Sequence, residues 1–181
     1  MTQDVPAPSS GTGVRGVTAV AWAVAAVGGL LAVMPLDQRL RIGPAARGIV
    51  SYEVAGTARR AGAILEQWAS SAVTGTAQLM MAIDLAYPLL YGFALLMGLR
   101  WAAARSGRTS RLPRLRWLAL GAAGADYVEN ACLIWQLWAE RATSASAGIA
   151  AGAAYLKFAL ILAALAAIAL LSWRREGHPA E

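Results

Sequence analysis

The run W-L-A-L-G-A-A-G-A-D-Y-V-E-N-A-C-L-I-W-Q-L-W at 117–138 is long enough to cross a bilayer, yet Asp126, Glu129 and Asn130 sit in its middle. A spanning helix needs roughly 20 mostly apolar residues. A charge in hydrocarbon costs roughly 2.5–3.5 kcal/mol even on lenient insertion scales. The spacing i, i+3, i+4 puts all three polar residues on one helix face. Such a helix is expected to turn that face toward a protein interior.

Working outward, three more runs have spanning length: 14–34, 77–101 and 147–173. Two of them carry the same signature. The second holds Asp84, Tyr87, Pro88 and Tyr91 at i, i+3, i+4, i+7, again one face. Pro88 has no N–H, so it frees the carbonyl of Asp84 and opens the helix there. The fourth run holds Lys157, the chain's only lysine, in an Ala-rich stretch with Gly148 and Gly152 at small-xxx-small spacing, which lets helices approach closely. The first run has no ionisable group after Arg15 and stops at Met34-Pro35, so it reads as a retained signal-anchor helix and scaffold.

The chain has 181 residues, of which 58% are hydrophobic, and a formal charge of +6. That composition suits a membrane protein and leaves room for one bundle. The expected fold is an all-α integral membrane protein: a four-transmembrane-helix bundle with an interfacial helical segment between spans one and two. Residues 1–13 are expected as a disordered tail, 14–175 as the membrane domain and 176–181 as a C-terminal tail. In the long connection 36–76, Ile64, Leu65, Trp68 and Ala72 share one face, while Arg59, Arg60, Glu66 and Gln67 lie elsewhere, which predicts one or two helices lying at the interface.

Six of the fifteen arginines fall between Arg100 and Arg116. The positive-inside rule makes that loop cytoplasmic and places both termini there too, in a multi-pass protein of the cell membrane. Nucleic acid is not the expected partner. One cysteine, Cys132, excludes an internal disulfide and a CxxC redox pair. No His/Cys cluster, H-E-x-x-H, phosphate-binding loop, dinucleotide fingerprint or Asp-rich magnesium motif is present, so neither a metal nor another cofactor is expected.

At about 1.5 Å of rise per residue, Asp84, Lys157, Asn130, Glu129 and Asp126 all lie about 10–18 Å from the outer end of their spans. Glu53 begins the interfacial segment on that side. The depths predict one cavity open toward the outer leaflet, with Glu53 in its lid. Lys157 can neutralise one carboxylate, and desolvation with a neighbouring carboxylate favours a proton on another. Asp126 and Glu129, one turn apart, are expected to titrate as a pair. A neutral carboxylic acid in an apolar cavity is a proton donor. Tyr87, Tyr91, Tyr127, Trp135 and Tyr155 are the aromatic residues nearest in pattern, and aromatic faces stabilise cations.

Taken together, G-I-V-S-Y-E at 48–53, D-L-A-Y-P at 84–88, D-Y-V-E-N at 126–130 and L-K-F at 156–158 resemble a family of small bacterial four-helix membrane proteins. In logic the set is similar to the small integral-membrane terpene cyclases of secondary metabolism. That resemblance implies metal-independent protonation of an alkene or epoxide by buried carboxylic acids, on a membrane-dissolved isoprenoid or other prenylated small molecule. It implies Asp126 or Glu129 as the acid, with Asp84 and Glu53 orienting it or taking the last proton. Lys157 and Asn130 with the aromatics would line the substrate's path. The alternative function is a small proton-coupled transporter or lipid-binding protein that uses the same carboxylates. A third alternative is an assembly subunit that uses the Gly148–Gly152 face for a partner helix, and a homo-oligomer is a further expectation.

Overall fold

The computed structural model describes residues 11–173. Residues 1–10 and 174–181, which hold most of the tail expected at 1–13 and all of that expected at 176–181, lie outside the described residues, and helix already begins at Gly11. The described residues form seven α-helices with one 3-10 turn and no strand. They are α1 (Gly11–Leu40), α2 (Ile49–Glu53), α3 (Ala58–Ser70), α4 (Thr74–Asp84), α5 (Tyr87–Arg105), α6 (Leu112–Trp138) and α7 (Ser144–Trp173). Three stretches, Gly16–Leu40, Thr74–Arg105 and Ser144–Trp173, are long and apolar enough to cross a membrane. Most of their side chains face outward, among them Val17, Val24 and Leu31 of α1 and Leu156, Leu162 and Leu170 of α7. An all-helical protein with an apolar exterior is what the composition led us to expect.

α1 packs on α5; α5 packs on α6 and α7; α6 and α7 form the longest seam, while α1 and α7 barely meet. That arrangement leaves a cleft between α1 and α7, floored by α5. Gly98 sets the approach of α5 to α7, since a Cβ there would stand 2.8 Å from Ile168 Cδ1. The Ala147, Ala150, Ala151 and Ala154 face of α7 is buried, whereas Gly148 and Gly152 face outward with open space beside them. α7 starts in a reciprocal cap: Thr143 Oγ1 accepts from the Ser146 N–H (3.0 Å) and Ser146 Oγ from the Thr143 N–H (3.1 Å), satisfying donors that a helix start leaves free.

Three element boundaries differ from expectation. α1 runs past Pro35 to Leu40. It is held there by Leu40, which is fully buried and whose carbonyl accepts from Trp68 Nε1 at 3.0 Å. The second apolar run is two helices, broken after Asp84 where Pro88 cannot supply the N–H that the helix needs. Ala72 does not continue the face of Ile64, Leu65 and Trp68. α3 stops at Ser70 and Ala72 takes φ 57°, exposed, so that the Val73 N–H reaches back to the Trp68 carbonyl at 3.0 Å. This is the left-handed helix stop usually made by glycine.

α2 and α3 fold over one end of the bundle, against α6 and α7. α3 is capped by Thr57, whose hydroxyl accepts from the Arg60 N–H at 3.3 Å, and it buries Ala61, Ile64, Leu65 and Trp68. Tyr52 and Trp68 meet edge to face at 5.2 Å, and the Tyr52 hydroxyl donates to the Leu133 carbonyl of α6 at 3.1 Å. Burial pushes the Tyr52 phenol up, so it stays protonated as that donor. The entrance to α2 is fixed by Asp37. Its Oδ1 accepts from the Ile49 N–H at 2.8 Å, while its Oδ2 pairs with Arg41 Nη2 at 2.8 Å. Gly48 has φ 60°, and a Cβ on it would run into the Asp37 carboxylate. Only glycine meets both demands.

Candidate functional site

The last residue of α2, Glu53, is thereby held over the bundle, directly above Lys157 of α7. Lys157 Nζ stands 2.8 Å from Glu129 Oε2, 3.3 Å from Asp126 Oδ1 and 3.7 Å from Glu53 Oε2. All four side chains are buried, Glu129 completely. One ammonium therefore serves three carboxyls drawn from α2 and α6. It occupies the centre that a bound cation would need, and no group of three or more His, Cys, Asp or Glu among the described residues is arranged to hold a metal.

Asp84 joins from α4 without an ion pair among the described residues. The carbonyl that Pro88 leaves free is taken by Asn130 Nδ2 at 3.3 Å, so the helix break and the α6 polar face satisfy each other. Tyr91 bridges from α5. Its hydroxyl is 2.9 Å from Asp126 Oδ2 and 3.1 Å from the Ala122 carbonyl. A phenol has one proton. That proton is donated either to the Asp126 carboxyl or to the Ala122 carbonyl. Tyr87 lies beside Tyr91, ring centroids 5.6 Å apart, and donates to the Ala26 carbonyl at 3.2 Å.

The cleft between α1 and α7 is a groove of about 750 Å³, and Glu53, Asp84, Asp126, Lys157, Tyr87 and Tyr91 line one end of it. That volume is in the range of pockets that bury small-molecule ligands, roughly 300–1,000 Å³. From this end the groove descends along α1 from Val33 to Gly16, about 25 Å at 1.5 Å per residue, between apolar walls that include Val20, Val27, Leu95, Ile161, Leu165 and Ile168. Trp101, beside Gly16, lines the far end. The groove is apolar along its length and carries its polar groups at one end.

Glu53 carries the electrostatics outside the apolar spans. Burial pushes its carboxyl above the ordinary glutamate range; Lys157 draws it back, while the charges of Asp126 and Asp37 push the same way as burial. One cation among four neighbouring carboxyls cannot balance them all. A low-dielectric site of this composition holds protons as well as charges.

The structure thus brings together Glu53, Asp84, Asp126, Glu129, Asn130, Lys157, Tyr87 and Tyr91. It does not bring in Tyr127, Trp135 or Tyr155, which are exposed on the outer surface. Trp135 there stacks under the Arg141 guanidinium at 5.5 Å. Three contributors were not anticipated. Asp37 carries no local pattern in the sequence that marks it. Tyr52 is an aromatic neighbour of Glu53. Gln136, fully buried, carried a readable signal, since it lies seven residues from Glu129 on the same helix face. Comparison with known protein families, with curated proteins and with solved structures returns no match.

Proposed function

We propose that this is a four-span integral membrane enzyme performing metal-independent acid/base chemistry on a membrane-dissolved isoprenoid, most concretely a protonation-initiated cyclisation. One observation carries the reading: a carboxyl cluster organised by one lysine closes the end of a long apolar groove that opens sideways between α1 and α7. A chain dissolved in the bilayer can enter such a groove without crossing water.

α6 supplies the fourth span. Asp126, Glu129, Asn130 and Gln136 are buried while Trp117, Leu120, Val128 and Trp138 face outward. The arginines of 100–116 are cytoplasmic, and the polar end of the groove with its α2–α3 cap faces outside. Reporter fusions after Arg111 should be cytoplasmic and fusions within 52–68 external; the reverse would invert the orientation.

Between the two candidate acids, Asp126 lines the groove and Glu129 does not. Asp126, steadied by Tyr91, gives its carboxyl proton to a terminal alkene or epoxide. The π electrons of the chain form the new C–C bonds, the aromatic faces of Tyr87 and Tyr91 stabilise the travelling positive charge, and Asp84 or Glu53 removes a proton to restore an alkene. Glu129 holds Lys157 in place.

The test is turnover of prenyl alkenes and epoxides by the purified protein in nanodiscs with chelator present, followed as an isomeric product of unchanged mass. Asp126→Asn should lower the rate by roughly 10²–10⁴-fold, the usual share of general acid catalysis, and Arg108→Ala should not. Loss of activity with chelator rejects the metal-free mechanism. Saturable binding of the chains with no product favours the second reading, a lipid-binding or proton-coupled carrier, which the sideways opening of the groove also suits.

A further inference from the structure

The carboxyl cluster has two sides. Asp84, Asp126 and Glu53 line the groove, whereas Glu129, against Lys157, and Asn130, against the Asp84 carbonyl, do not. On this rear side, polar atoms are left over. Glu129 Oε1, Asn130 Oδ1 and both amide atoms of Gln136 are fully buried and have no hydrogen-bond partner in the protein. Such atoms are rare in folded proteins, because each loses its hydration without replacement. When they cluster, the usual partner is ordered water.

Their arrangement is directional. Gln136 lies seven residues from Glu129, which puts it on the same helix face and about 10 Å along the axis. It is two residues from the end of α6 at Trp138, next to the connection at 139–143. The facing seam on α7 is lined by Ala147, Ala150, Ala151 and Ala154, whose side chains carry no polar group that could partner these atoms. Asn130 lies one residue beyond Glu129 and, through its amide nitrogen, touches the Asp84 carbonyl.

We infer that a short file of ordered waters runs along the α6–α7 seam from Gln136 to Glu129, and that it conducts protons from the aqueous surface to the rear of the cluster. Each proton that a groove-side carboxyl gives up is replaced by one handed from Glu129 across the Lys157 centre. Each proton taken up in the groove can leave by the reverse route, so no net charge accumulates. The inference holds for an enzyme or a carrier alike and does not depend on the reaction proposed above. Gln136 is a positioning residue: its amide can accept from one water and donate to the next without titrating.

The test is a pH jump on the full chain in nanodiscs, with proton uptake by the cluster read from carboxyl stretching bands in the infrared. Glu129→Gln identifies the Glu129 component. Gln136→Leu should slow uptake by tenfold or more, and Gln136→Asn, which keeps both amide functions, should stay within about threefold of the parent. Equal rates in the parent and Gln136→Leu overturn the inference. Should the leucine variant fail to fold, the parent decides at high resolution. Ordered density linking Gln136 to Glu129 supports the path, and protein groups closing those hydrogen bonds refute it.

Discussion

Lys157→Met removes the one positive charge from the cluster while keeping an unbranched apolar stem. At an effective dielectric constant of about 20, ion pairs at 2.8–3.7 Å are worth about 4–6 kcal/mol each before other terms, and Lys157 makes three. Those figures do not add. The carboxyls repel one another at similar distances, and all four groups were desolvated on folding. Removing one partner of a buried pair typically destabilises by about 3–5 kcal/mol, and we expect Lys157→Met to fall there at pH 7. The loss should depend on pH. Glu53 in the unfolded chain titrates at the ordinary value of 4.5, and in the folded chain burial already lifts it, with Lys157 the main force holding it down. Without the lysine it rises further. Above 4.5 the unfolded chain has released that proton while the folded chain keeps it. The folded state then binds more protons, and stability falls as pH rises, by up to about 1.4 kcal/mol per pH unit per proton. The variant should therefore recover toward the parent as pH drops from 8 to 5. The measurement is denaturant or thermal unfolding in mild detergent across that range. A variant within about 1 kcal/mol of the parent at pH 7, or one whose deficit ignores pH, would refute the view that Lys157 organises the site.

Gly48→Ala should destabilise by about 2 kcal/mol or more, because it adds left-handed backbone strain and a Cβ against Asp37; unfolding in detergent measures it. Tyr52→Phe removes the bond to the Leu133 carbonyl and should lower stability by about 1 kcal/mol, with faster amide exchange across 49–57. Ala72→Gly relieves φ 57° at a helix stop and should stabilise by about 1 kcal/mol. Ala23→Trp fills the wall of the groove far from the carboxyls and should weaken binding of a long prenyl chain about tenfold or more while leaving the unfolding midpoint nearly unchanged.

What the sequence made legible was the polar interior. In a bundle whose outside is as apolar as its inside, hydrophobic periodicity vanishes, and only residues too costly to expose report which way a helix faces. Asp84, Asp126, Glu129 and Lys157 did so, and the link from Pro88 to a free Asp84 carbonyl gave Asn130 its partner. Three of the five aromatic residues, Tyr127, Trp135 and Tyr155, fall outside the site for a geometric reason. At about 100° per residue, Tyr127 is a quarter turn from Asp126, Trp135 is half a turn from it, and Tyr155 is more than half a turn from Lys157. Tyr87 and Tyr91, at i+3 and i+7 from Asp84, stay on its face. The same angular count keeps Gln136 within about 20° of Glu129. The anchoring of α2 was not legible, because it depends on the Asp37 carboxylate meeting the Ile49 N–H across a left-handed glycine, a tertiary contact with no local pattern.

α6 is the one long helix whose average hydropathy is too low to mark it as spanning, and the reason lies in where its polarity points. Asp126, Glu129, Asn130 and Gln136 are each buried to within 1% of complete, so they contribute nothing to the surface a lipid would touch. A hydropathy average counts them as if they did. What a bilayer would meet is Trp117, Leu120, Val128, Trp135 and Trp138, apolar residues with aromatic ones toward both ends, where membrane interfaces favour them. The long helix of lowest average hydropathy is therefore the one whose interior face is most committed. It supplies two of the three carboxyls around Lys157, the acceptor for Tyr52 of the cap, and the amide that fills the gap left by Pro88. Removing its polarity would raise its hydropathy and leave Lys157 with Glu53 alone.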